Sequence, residues 1–161
     1  MFVDPSREAL RRSYLDAWRK SRAANVLTPL EAQIANVLRE HPEYHALIEH
    51  GSDAVAAEFP PELGRSNPFL HMGLHLALRD QVATNRPAGI AAIFSHLLKH
   101  STDMHAAEHR MIEPLAAAMW EAQRANGTPD EQAYLERLRR LYGECSAALP
   151  ILRSRNSVKC L

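Results

Sequence analysis

Residues 67–87 read NPFLHMGLHLALRDQVATNRP, and residues 103–126 read DMHAAEHRMIEPLAAAMWEAQRAN. Each stretch opens on a side chain that can cap a helix, Asn67 ahead of Pro68 and Asp103 ahead of Met104. Each then repeats apolar residues at helical spacing. At 100° per residue, His71, His75, Leu78 and Val82 form one row of the first helix, flanked by Leu74. His105, His109, Ile112 and Ala116 form the same row of the second, at the same intervals. In both, a stripe expected to face the core is continued by two histidines in the first turns.

The same signals recur along the chain. Asp4-Pro5 starts a helix to about Asn25 with Leu10, Tyr14, Ala17 and Trp18 as its apolar stripe. Thr28-Pro29-Leu30-Glu31 is a capping box for a helix to about Glu40. His41-Pro42 breaks that helix and restarts a short one ending at Gly51. Residues 52–66 read as loop with a short turn, because Pro60, Pro61 and Gly64 forbid a long helix. A turn at Asn85-Arg86-Pro87 leads to a helix over about 88–100, with Ile90, Ile93, Phe94, Leu97 and Leu98 inward. The 103–126 helix ends at Asn126-Gly127, and Pro114 is expected to kink it. Thr128-Pro129-Asp130-Glu131 reads as a second capping box, for a last helix to about Tyr142. The expected architecture is all-α: one helical-bundle domain of six to seven helices over 1–143, then an irregular tail, 144–161, outside the core.

Composition narrows the function classes. The 161 residues carry 19 basic and 19 acidic side chains, so there is no basic footprint for nucleic acid. No apolar run approaches the ~20 residues of a membrane span, and MFVDPSREALRR lacks the apolar core of a secretory signal. Cys145 and Cys160 make no C-x-x-C, which together with the missing signal suggests a reducing, cytoplasmic setting. There is no G-x-G-x-x-G, phosphate-binding loop or G-x-S-x-G. Oligomeric state and protein partners leave no mark in the sequence.

Histidine is the informative residue. Nine histidines placed at random in this length give roughly half a pair at the i, i+4 spacing of helix neighbours. The chain has His41/His45, His71/His75, His96/His100 and His105/His109. Short turns predict an up-down-up arrangement of the three central helices, so the 68–84 and 103–126 helices run parallel and their histidine pairs lie level. Two such pairs can supply three or four imidazoles to one transition ion, Zn, Fe, Ni or Cu. Glu113 reads as the carboxylate ligand, and Glu108 as a ligand or a group that orients one. Haem fits less well, since it needs a large apolar slot. His41/His45, straddling Pro42, reads as surface or capping, and His96/His100 as complementing a helix C-terminus. His105-Ala106-Ala107-Glu108-His109 also matches the inverted zinc-protease motif H-x-x-E-H, although no third-ligand motif accompanies it. Set against the metal site is a non-enzymatic interaction protein whose histidines form a buried hydrogen-bond network. No catalytic residue or reaction is legible.

The stretch NPFLHMGLHLALRDQVATNRPAGI resembles the proteobacterial domain of unknown function family 1841. The likeness continues in SREALRRSYLDAWRK, LTPLEAQIANVLREHPEYHALI, HAAEHRMIEPLAAAMWEAQR and AYLERLRR, and covers about residues 1–141. The family pattern includes the positions of His71, His75, His105, His109, Glu113, Trp120 and Arg124. Pro114 and the tail after about Tyr142 depart from it. The resemblance implies no activity, and the metal site rests on spacing and topology alone.

Overall fold

A computed structural model describes residues 5–57, 59 and 67–147. Among these the only regular elements are helices: α1 Pro5–Arg22, α2 Pro29–Glu40, α3 His45–Glu49, α4 Ser52–Ala56, α5 Pro68–Thr84, α6 Ile90–Lys99, α7 Met104–Arg124 and α8 Glu131–Ala147, with a 3-10 turn at Pro42–Tyr44. The all-α class expected from the periodicity holds. Through Thr84 the chain forms one compact unit, and from Asn85 a second.

In the first unit α1 packs on α2, α3 and α4, and α2 packs on α5. Tyr14, Trp18, Ile34, Val37, Leu38, Ile48, Phe69 and Met72 form its core, with Tyr14 and Phe69 meeting edge to face at 5.7 Å. The α2 start is the capping box foreseen: Thr28 Oγ1 accepts from Glu31 N at 3.3 Å, and Thr28 N donates to Glu31 Oε2 at 2.9 Å. The α1 stripe departs from expectation at its N-terminal end. Leu10 is 59% exposed and Arg11 is buried in its place. The reason is α4, whose last carbonyls lack helical partners. Arg11 Nη1 donates to Val55 O at 2.6 Å and Ala57 O at 2.7 Å, and its guanidinium lies over the Phe69 and Phe59 rings at 5.0 and 5.5 Å.

In the second unit α6, α7 and α8 pack pairwise. Ile90, Ile93 and Leu97 meet a core completed by Met111, Ile112, Leu115, Tyr134 and Leu138. Asp103 caps α7 as expected, Oδ1 accepting from Ala106 N at 2.7 Å. The helix runs through Pro114. Asp130, rather than Thr128, caps α8: its Oδ1 accepts from Ala133 N at 3.0 Å. Its carbonyl also accepts from Tyr134 N at 3.0 Å, so the helix starts at Glu131, two residues later than the Thr128 box implied. The helix does not stop near Gly143 but reaches Ala147. One interior glycine costs only about 1 kcal/mol, which the helix-compatible residues around it tolerate. The rest of the expected tail, 148–161, including Cys160, lies outside the described residues.

Burial raises the Tyr14 phenol to about 12 from its usual 10 and shifts Tyr134 in the same direction. A group raised on folding contributes stability that is complete below its unfolded value and lost as pH rises through the folded one. The parent should therefore lose on the order of 2 kcal/mol of stability between about pH 10 and 12 through Tyr14 alone. Urea melts of Tyr14→Phe across that window should show a shallower decline than the parent. Parallel declines would mean the Tyr14 phenol ionises as freely folded as unfolded.

Candidate metal centre

The first unit builds its histidine cluster from a broken helix. In an unbroken α2, Val37 O would accept from the N–H of residue 41 and Leu38 O from that of residue 42. Pro42 has no N–H, and it pushes His41 out of the helical region, to φ −123° and ψ 67°. His41 N is diverted to Leu38 O at 3.1 Å. The histidine rings fill the gap: His41 Nδ1 lies 2.7 Å from Val37 O, and His45 Nε2 lies 2.7 Å from Leu38 O. A carbonyl can only accept, so both ring nitrogens donate. The His41/His45 spacing across the proline is thus a way of closing a helix.

Of the surface and capping readings of that pair, capping holds and surface is corrected. His41 is 1% exposed, stacked parallel on Tyr44 at 5.3 Å, and His45 is half-buried against Trp18 at 4.4 Å. Burial also raises the Tyr44 phenol, with Glu43 adding to the shift. Because His41 Nδ1 carries the proton, the lone pair of the neutral ring is at Nε2. That atom lies 3.1 Å from His71 Nε2. His75, 0% exposed, brings its ring to 4.7 Å from that of His41 and 4.9 Å from that of His71. Asn67 sets the start of α5 that carries both, its Oδ1 accepting from Phe69 N at 3.1 Å and Leu70 N at 3.3 Å. Glu40, the last residue of α2, pairs with Arg79 of α5.

In the second unit His105 and His109 have ring centroids 4.3 Å apart, as their i, i+4 spacing requires. The buried face of α7 is not centred on their row. Ala107, Glu108, Met111, Ile112, Leu115, Ala118 and Ala122 are buried, so the row itself buries Ile112, whereas His105 is half-buried and His109 exposed. The two carboxylates separate clearly: Glu108 is 1% exposed, and Glu113 is on the exposed side. His96 and His100 lie 4.9 Å apart at the end of α6, where imidazole suits the negative pole of the helix. Further along α7, Glu121 takes both 2.8 Å bonds from Arg137, and Arg124 lies 4.7 Å over Trp120, so that turn packs and salt-bridges as expected.

The described residues therefore contain histidine and glutamate groups that could hold a metal ion. The donors that take part in these groups are Glu40, His41, His75, His105, Glu108 and His109. Of these, sequence reasoning missed Glu40 and His41. The signal for His41 was present in the proline that follows it, which leaves Val37 O for a nearby donor.

His45→Ala should cost about 1 kcal/mol in denaturant melts, because it leaves the Leu38 carbonyl with a poorer set of partners. His50→Ala, an exposed position outside the cluster, should stay within about 0.5 kcal/mol of the parent. Equal losses would show that the Leu38 carbonyl does not need the ring.

No described helix is long and apolar enough to cross a membrane. No curated protein and no solved structure matches the chain. One family model does, described as "Domain of unknown function (DUF1841)" and matched over residues 6–140. With its capped helices and paired histidines inside that span, the chain belongs to this family.

Proposed function

We propose that this protein is a helical metal-binding protein that binds a transition ion through histidine imidazoles, with His41, His75, His105 and His109 as the candidate donors and Glu108 as the principal candidate carboxylate. The observation that carries the reading is His41: fully buried, with Nδ1 committed to the Val37 carbonyl and Nε2 turned toward other imidazoles. Metal-binding histidines are held in this way, one nitrogen donating to a carbonyl so that the other presents its lone pair. His75 and Glu108, 0% and 1% exposed, add support as donor groups on buried helix faces. Glu108 takes precedence over Glu113 because it is buried and Glu113 is exposed. Imidazole-rich donors suit Zn, Fe, Ni or Cu. An open position on the ion would allow hydrolysis or oxygen chemistry, and a closed set would make it structural or sensory.

The second reading is a buried hydrogen-bond network without metal, in a protein that acts by interaction. The 3.1 Å contact between His41 and His71 is itself a hydrogen bond, and it favours this alternative.

Elemental analysis of untagged protein, followed by melts with and without chelator, separates the two. Metal that binds only the folded state should stabilise it by about 2.7 kcal/mol at a hundredfold excess over Kd. The increment should fade below about pH 6, since imidazole must be neutral to ligate. His75→Ala and His109→Ala should lose both ion and increment, and His50→Ala should keep them. Equal chelator response in all four proteins, or none in the parent after reconstitution, would leave the hydrogen-bond network.

A further inference from the structure

The contact between His41 and His71 assigns different tasks to the two rings. His41 Nδ1 donates to Val37 O at 2.7 Å, so the neutral His41 ring has no proton left for Nε2. The hydrogen in the 3.1 Å contact must then belong to His71 Nε2, which donates to the His41 lone pair. That lone pair is the one an ion would use, so hydrogen bond and ion compete for it. The rings also differ in burial. His41 and His75 are 1% and 0% exposed, held by Tyr44, Val37 O and the surrounding core. His71, in the first turn of α5, is only half-buried, so its ring borders solvent.

We propose that His71 is the gate of the metal site rather than one of its ligands. Resting on the metal-binding reading above, it assigns a regulatory role to a residue that spacing alone makes a ligand. In the metal-free protein His71 Nε2–H covers the His41 lone pair, orients the ring and offsets its burial. An arriving ion takes that lone pair, and the His71 ring leaves it for solvent. His41 keeps its Nδ1–H on Val37 O throughout. No bond to hydrogen is broken in the exchange.

The two roles for His71 predict opposite signs. Removing a ligand weakens binding, whereas removing a competitor tightens it. Zinc affinity should be measured by chelator competition on the parent, His71→Phe, His71→Asn and His75→Ala, with helical content checked for each. A net hydrogen bond of ordinary strength corresponds to about two- to tenfold tighter zinc binding in His71→Phe. His71→Asn, which can still donate, should lie between it and the parent. His75→Ala should lose zinc. In the parent, nitrogen-resolved imidazole spectra should show His41 as the Nδ1–H tautomer before and after zinc. Only its Nε2 signal and the His71 ring should move. Unchanged or weaker zinc binding in a folded His71→Phe, with His75→Ala still losing the ion, would overturn the gate and leave the site. A parent that does not bind zinc or any of the other ions would overturn the site, and the gate with it.

Discussion

Pro42 lacks one hydrogen, and much of the first unit follows from it. Without that N–H, α2 cannot continue, and the carbonyls of Val37 and Leu38 need donors from elsewhere. Water could serve them at the surface. Here α2 packs against α1 and α5, so the donors come from the chain itself, as the rings of His41 and His45. Drawing His41 onto Val37 O buries it against Tyr44 and turns its second nitrogen toward α5. Drawing His45 onto Leu38 O places it on Trp18, which also donates to Glu49 at 3.4 Å and so ties α1 to α3. One missing donor therefore ends a helix, anchors the next and orients an imidazole.

Polar burial elsewhere shows how selective this arrangement is. The buried polar side chains among the described residues are Arg11, His41, His75 and Glu108. Arg11 and His41 share one logic, since each sits where a helix end leaves carbonyls that a buried side-chain donor can satisfy. Arg11 serves α4 and is further supported by two phenyl faces. Both cases are structural in origin, and only His41 also presents a lone pair. That difference separates a helix cap from a candidate ligand, although both are buried. His75 lies on α5 with its ring 4.7 Å from that of His41, and Glu108 lies on the buried face of α7.

Local chemistry made much of this legible in the sequence alone. Caps at Thr28, Asn67 and Asp103 and the break at Pro42 depend on residues within one turn of each other, so the string of letters contains the whole interaction. The all-helical class and the two histidine-bearing helices follow from periodicity, which is equally local. Tertiary structure decided what periodicity leaves open, namely which part of a helix face meets a neighbour. It exchanged Leu10 for Arg11, because α4 presents carbonyls where an apolar surface would have favoured leucine. It buried Glu108 and left Glu113 exposed, although both lie close to the histidine row on the wheel. It moved His41 from the surface into the core, because Val37 O is enclosed by packing that no single helix specifies. Spacing assigns side chains to faces, and only the packed neighbours determine which of those faces excludes water.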